Sequence, residues 1–278
     1  MGPDPAALDA EELQRFHDDG YLIVRGAFAR DDALTMQAAW WRELADTYGI
    51  LRDDRTTWRP ILADLKRPKS DPHQHTILTP RVRGVINDLL GTDTWGRPKD
   101  WGRSIVTFPE PGGWDVPTDL WHWDSAVQLH LKALNALFVV SFVGEVVPCS
   151  GGTLVLAGSH RLLKQHETAL TPEDRRGKPD RRRNLLYSSH PWLATLAGLT
   201  PSPPNRIATF MEASVEIEGI PLRVVELTGE PGDMVFCHPT IIHCVSPNRG
   251  AQPRMMRIKQ HLLTREGARQ LNRAVPAA

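Results

Sequence analysis

Residues 136–147, "ALFVVSFVGEVV", hold the longest apolar run of the chain, interrupted at Ser141, Gly144 and Glu145. A membrane-spanning helix needs about 20 consecutive apolar residues. This run is too short and too broken for that and reads as a buried strand. Shorter runs of the same texture lie on either side: "RSIVTFP" (103–109), "GGTLVLAGS" (151–159), "PLRVVEL" (221–227) and "DMVFCHP" (233–239). Gly, Pro and Asn divide them, a pattern that predicts an all-β body, either a sandwich or a barrel.

The chain before residue 101 has a different texture. "LDAEELQRFHD" (8–18) places acidic residues early and apolar ones at helical spacing, which predicts a short helix with Asp9 near its N-cap, followed by Gly20 and a strand "YLIVRG" (21–26). "RDDALTMQAAWWRELADTYGI" (30–50) is the clearest amphipathic helix, with Leu34, Met36, Ala39, Trp40 and Leu44 on one face and Trp40 and Trp41 as core or interface residues. "TPRVRGVINDLLG" (79–91) is a second such helix, and the stretch between them, which carries His73 and His75, is expected to be irregular. Helices first and strands afterwards describe a β body with N-terminal helical cover.

The strand series is broken at 161–206 by "TPEDRRGKPDRRRN" (171–184), the apolar "LLYSSHPWLATLAGL" (185–199) and "TPSPPN" (200–205). That length and Pro/Arg content suit an inserted excursion acting as a lid. Its basic cluster is most simply a solvated one, partly neutralised by Glu173, Asp174 and Asp180; a site for an anionic substrate group is the lesser reading. The expected organisation is one domain over 1–278, with helical cover at about 1–100, a β core at about 101–160 and 207–265, and the lid between.

Thirty-three basic and 33 acidic residues cancel across 278 positions, so no global field recruits nucleic acid or an anionic membrane. The start, "MGPDPAALDAEE", lacks a basic and then apolar leader, and Ala6 stands where a myristoylation signal wants Ser or Thr. Cys149, Cys237 and Cys244 are odd in number and form no C-x-x-C, which argues against a disulfide framework and for a reducing cytoplasm. Oligomeric state is not readable from the sequence.

"TDLWHWDSA" (118–126) places His122 and Asp124 two residues apart. Eleven histidines make such a pair unremarkable, and "FHDDGY" supplies another at His17 and Asp19, read here as a solvated helix end. On an extended chain, residues two apart share a face, so His122 and Asp124 can reach one ion, whereas Trp121 and Trp123 point away into packing. A third ligand from "GDMVFCHPTIIHCVSP" (232–247), His238 or His243, would complete two histidines and one carboxylate, a set that suits non-haem Fe(II) and leaves positions open.

The ordered motifs resemble the phytanoyl-CoA dioxygenase family of Fe(II)- and 2-oxoglutarate-dependent oxygenases. "FHDDGYLIVRGAFARDDA" resembles the family's opening, "WHWD" its His-x-Asp element, "GGTLVLAGSHR" its glycine-led strand, and "GEPGDMVFCHPTIIHCVSPNRGAQPR" its closing segment. Together they span 16–260 in the family's order, with the weakest match at 45–100 and 161–220. The resemblance implies a mainly β fold with flanking helices, a double-stranded β-helix (jelly-roll, cupin-like) core. It implies His122, Asp124 and His243 as iron ligands, in preference to His238. It also implies Arg254, eleven residues after His243, as the partner of the distal carboxylate of 2-oxoglutarate, with Arg257 as a fallback. A guanidinium suits that task because its planar fork grips a carboxylate through parallel hydrogen bonds.

Thr107 and Thr153 are candidate hydroxyl contacts to the co-substrate, although threonine in a strand also serves β-propensity. His160 and Arg161 are expected to fix the turn after the strand, and Trp114 and Trp192 to line a pocket. The family often carries His-x-Ser at the distal ligand; here His243 is followed by Cys244 and Val245, which puts one auxiliary co-substrate contact in question. Similar halogenating enzymes replace the carboxylate by a small residue, so Asp124 implies hydroxylation, with desaturation and ring formation as variants. Small-molecule substrate and O2 are the implied partners. Two rivals share parts of the pattern: a jelly-roll protein that binds a metal without turnover, and a zinc hydrolase, for which the arginine has no use.

Overall fold

A computed structural model describes residues 7–124, 134–175 and 178–274. The predicted N-terminal helices are α1 (Ala10–Asp19), α2 (Arg30–Tyr48) and α3 (Pro80–Leu90). Asp9 caps α1 through a reciprocal capping box with Glu12, and Gly20 ends it at a φ of 81°, a conformation that costs glycine little. Helix α2 buries Met36, Trp40, Trp41 and Leu44, whereas Leu34 is 39% exposed, so its apolar stripe lies one residue away from the expected one at that end.

The described residues form ten strands: β1 (Tyr21–Val24), β2 (Leu62–Leu65), β3 (Arg103–Thr107), β4 (Ala136–Phe142), β5 (Thr153–Ala157), β6 (Val215–Ile217), β7 (Ile220–Glu226), β8 (Met234–Cys237), β9 (His243–Val245) and β10 (Arg254–Leu263). They form a larger antiparallel sheet, β1-β8-β4-β10-β3-β2, and a smaller one, β6-β7-β5-β9. The fold is a jelly-roll. The stretch between α2 and α3 is more regular than its sequence suggested, because it supplies β2, which pairs with β3, and short 3-10 turns.

Strand β4 explains the continuous apolar run. Phe138, Val140 and Phe142 face the interior between the sheets, while Leu137, Val139 and Val143 face the helices α1 to α3. A strand covered on both sides has no reason to alternate with polar residues. Strand β5 is buried throughout for the same reason: Val155 points inward, and Leu154 and Leu156 point outward beneath the inserted segment.

That segment comprises α4 (Ser159–Ala169), α5 (Pro172–Arg175), α6 (Pro179–Ser188) and α7 (Pro191–Leu196). Leu162, Leu163, Leu186, Tyr187, Leu193 and Leu196 pack on the outer face of the smaller sheet. The insertion therefore packs as an outer layer on the smaller sheet. Arg181 pairs with Asp174 at 2.8 Å and Arg183 with Asp180, two of the expected acids, whereas Arg182 pairs with the buried Glu167; the Arg175 side chain and Arg176 lie outside the described residues, as does Ala6. No described helix is long and apolar enough to cross a membrane.

His160 and Arg161 tie this layer to the α1–β1 corner. The His160 Nε2 donates to the His17 carbonyl at 3.0 Å, the ring lies tilted against His238 with centroids 4.8 Å apart, and Arg161 lies 3.6 Å from Asp18. Burial pushes the His160 imidazole down to about 4, with the His17 carbonyl opposing the shift. In the unfolded chain this group takes up a proton below about 6.5, so its contribution to stability is intact above that pH and is lost as pH falls toward 4. His160→Gln, which keeps a donor for His17, is expected to flatten the fall in melting temperature between pH 7 and 5, where the wild type loses up to about 2 kcal/mol through this group.

Candidate functional site

Strand β9 is the last of the smaller sheet, and residue 122 extends that sheet by one rung. The His122 N–H donates to the His243 carbonyl at 3.0 Å, and the His243 N–H donates back to His122 at 2.8 Å. Directly opposite residues in such a pair carry their side chains on one face. The two imidazoles consequently stand 4.3 Å apart, with Phe138 stacked on His243 at 5.0 Å. Asp124 joins them by the two-residue repeat, and donor atoms of His122, Asp124 and His243 all lie within 4.8 Å of one another. Among the described residues this is the one such group of three.

The ring orientations are set by the backbone. His122 Nδ1 lies 2.6 Å from the Leu120 carbonyl and His243 Nδ1 lies 3.0 Å from that of Ile241. A carbonyl only accepts, so each Nδ1 carries the proton and each Nε2 keeps its lone pair. Leu120 reaches this position with a φ of 62°, an uncommon conformation for a non-glycine residue. Burial, joined by the neighbouring His122, lowers the His243 imidazole to about 4 against the opposing pull of Asp124, so His243 is a neutral donor at physiological pH. Asp124 receives a hydrogen bond from Gln260 Nε2 on Oδ1 at 3.3 Å, while its buried Oδ2 has no partner.

Arg254 opens β10 opposite Thr107 and shares its inward face with Met256 and Ile258. It is 2% exposed; Nη1 donates to the Gly151 carbonyl and Nη2 to the Thr107 hydroxyl, both at 2.7 Å, and buried Nε has no partner. Burial lowers the guanidinium to about 10, with Glu226 opposing the shift, so it stays charged at neutral pH. The Glu226 carboxylate is itself occupied by the N–H groups of Cys149 (2.7 Å) and Gly152 (2.9 Å), which brace the turn that presents Gly151. Thr153 is buried on β5 in the inward register of Val155, the residue paired with His243.

Other expectations resolve differently. Arg257 projects from the opposite face of β10, where its guanidinium lies 5.9 Å from the Trp40 ring and donates to Gln74, so it is no fallback for Arg254. His238 is outside the cluster, with its Nδ1 2.8 Å from the Thr240 hydroxyl. His73 and His75 lie in the 72–77 turn beside Gln74 on that same helical side, away from His122. Trp121 and Trp123 pack outward as expected. Trp192 packs edge-on to Phe210 at 4.9 Å, and Trp114 lies against the same outer cluster, so neither lines the cleft beside His122.

That cleft has a volume of about 530 Å³ and is bounded by Leu120, Trp121, His122, Val245 and, from the inserted layer, Arg183 and Tyr187. Tyr187 hydroxyl donates to the Trp121 carbonyl at 2.8 Å. Arg206, 3% exposed, donates to the carbonyls of Val116 (2.7 Å), Pro117 (2.8 Å), Leu196 (2.8 Å) and Thr195 (3.1 Å). It thus joins the end of α7 to the strand-like segment leading to His122. Gln260, Tyr187 and Arg206 went unnoticed in the sequence, where none of the three carried a local signal.

The layers and the cluster define a jelly-roll protein with a two-histidine, one-carboxylate group inside its barrel. The sequence profile of the phytanoyl-CoA dioxygenase family matches residues 16–256. The chain belongs to that family, whose members are non-haem oxygenases that use Fe(II) and 2-oxoglutarate. Solved structures share the fold. The apoform of EctD from S. alaskensis aligns over 93% of this chain and 79% of its own, with a TM-score of 0.51 and 20% identity. SnoK, described as a non-haem α-ketoglutarate-dependent carbocyclase from nogalamycin biosynthesis, aligns over 92% and 85% (TM-score 0.53, 19% identity). AviO1 from Streptomyces viridochromogenes aligns over 92% and 95% (TM-score 0.51, 16% identity). No curated protein matches the chain by sequence.

Arg206→Ala is expected to strand four carbonyls and destabilise the protein by about 3 kcal/mol or more, read as a lower midpoint in urea denaturation. Arg206→Lys, a point charge unable to reproduce the planar fork, is expected to recover only part of that loss.

Proposed function

We propose that this protein hydroxylates a C–H bond of a small organic molecule, consuming O2 and 2-oxoglutarate and releasing succinate and CO2. The observation that carries the reading is the His122–Asp124–His243 cluster, with both Nδ1 atoms committed to carbonyls and both Nε2 atoms and the Asp124 Oδ2 free to bind a metal. Three ligands on one side of an ion leave the other side open. Fe(II) held there with 2-oxoglutarate would supply the oxidising chemistry, coupling decarboxylation of the keto acid to insertion of one oxygen atom into the substrate.

The chain's own residues then have defined tasks. His122, Asp124 and His243 hold the metal. Arg254, charged and buried with an unpaired Nε, holds the distal carboxylate of 2-oxoglutarate, with the Thr107 hydroxyl, which accepts from Arg254 and still has its own proton to donate, and Thr153 beside it. Substrate enters the cleft beside His122. Leu120, Leu199 and Val245 stand exposed along it at 67%, 48% and 38%, an apolar wall that suits a carbon skeleton, with Asp119, Asp180 and Arg183 at its polar side. Three free thiols fit a reducing compartment, and we place the enzyme in the cytoplasm.

Anaerobic addition of Fe(II) and then 2-oxoglutarate to the metal-free protein tests this reading. The wild type is expected to develop a visible metal-to-ligand charge-transfer band. His243→Ala is expected to abolish it, and Arg254→Ala to raise the 2-oxoglutarate concentration needed by at least tenfold. A folded, metal-loaded wild type that forms no band would overturn the assignment.

A further inference from the structure

Strand β10 carries an irregularity beside the cluster. Its pairing with β4 runs in step through Lys259, opposite Val139, and resumes at Leu262, opposite Leu137, so β10 spends one residue more than its partner. Such bulges break strict alternation and re-aim side chains. The two residues inside it are Gln260 and His261, of which Gln260 meets Asp124. Gln260 Nε2 donates to Asp124 Oδ1 at 3.3 Å, and His261 is half-buried with a buried Nδ1 that has no partner. No other hydrogen bond to the Asp124 carboxylate occurs among the described residues, and its Oδ2 is buried and unpaired.

We infer that Gln260 is a positioning residue: its amide occupies Asp124 Oδ1, turns Oδ2 toward His122 and His243, and thereby holds the carboxylate to one-oxygen binding of the metal. The inference rests on the proposed iron site. Its physical basis is a competition at Oδ1. A carboxylate with two free oxygens can close both onto one cation and take up a coordination position. One whose Oδ1 accepts an N–H offers the cation Oδ2 alone. The bulge is what allows this, since it brings an amide from a neighbouring sheet to a residue that follows the last rung of the smaller one. Glutamine suits the position because it donates without adding charge. Lysine or arginine there would oppose a bound cation, and glutamate would repel Asp124.

The test uses Co(II), whose visible spectrum reports coordination number, and Fe(II) affinity measured by competition with a chelator, on wild type, Gln260→Met and Gln260→Glu. Methionine keeps the length and removes the donor; glutamate keeps the shape and turns a donor into an acceptor. Outer partners of metal ligands are worth about 10- to 100-fold in affinity. Gln260→Met is expected to weaken Fe(II) binding by about tenfold and to shift the Co(II) spectrum toward higher coordination number and lower absorption. Gln260→Glu, which when ionised cannot donate to Asp124 Oδ1, is expected to shift the Co(II) spectrum in the same direction as Gln260→Met. Melting temperatures near that of the wild type exclude general unfolding as the cause, and Gln260→Asn, one methylene short, serves if Gln260→Met fails to fold. Unchanged affinity and an unchanged Co(II) spectrum in the folded variants would sink the inference while leaving the oxygenase reading intact. Failure of the wild type to bind metal through Asp124 and His243 would remove the reading beneath it.

Discussion

The paired backbone hydrogen bonds between His122 and His243 are the constraint on which the site depends. They are ordinary sheet hydrogen bonds, yet they join segments 121 residues apart and decide that two imidazoles stand face to face at 4.3 Å. A shift of one residue would send His122 outward and bring Trp121 or Trp123 inward. The indoles resist that shift because both are buried against Leu154, Leu156 and Ile242 on the outer side. The alternation Trp-His-Trp-Asp is therefore one physical statement. Its large apolar members anchor the segment from outside and leave the polar members no direction but the barrel interior.

The inserted layer gives that anchoring its strength. Without α4 to α7 the outer face of the smaller sheet would expose Leu154, Leu156, Leu222 and Val224, and the indoles would have no partners. Tyr187 and Arg206 add direct bonds from this layer to the backbone of residues 116–121. A segment that follows the metal-site strand in sequence thus holds the approach to His122 in place, and it contributes one wall of the cleft. The cleft wall and the geometry of the cluster share a single structural element, so variation in the insertion acts on both.

Most of the core was legible before the fold was seen, for reasons that differ by element. Strand β4 announced itself through an apolar run with nothing polar to mark a solvent face, and α2 through its spacing. The stretch holding β2 gave no such signal, because an edge strand of four residues with one exposed leucine and a partly buried aspartate has neither alternation nor run length. The cluster was legible where its members fall in a local repeat, as His122 and Asp124 do, and where a resemblance fixed the order of distant motifs, as with His243 and Arg254. Gln260 escaped because its role depends on a bulge, and a register shift between two strands leaves no trace in either strand alone. Arg206 escaped because its partners are carbonyls, which every residue has.

The two buried arginines of β10 show which signal carried information. Arg254 and Arg257 are both nearly inaccessible, both are lowered to about 10 by burial, and both leave guanidinium nitrogens unpaired. Burial, charge and unsatisfied donors therefore do not tell them apart. Direction does. Being three residues apart on a strand, they face opposite sides, and the face decides the surroundings: Trp40, Gln74 and the Pro68 carbonyl for Arg257, against Thr107, Gly151 and the space between the sheets for Arg254. An arginine wedged under a helical layer serves packing, whereas one opening into the barrel that holds the His122 cluster can meet a ligand. The register between Arg254 and Thr107, rather than the presence of a cation, makes Arg254 the residue suited to a carboxylate.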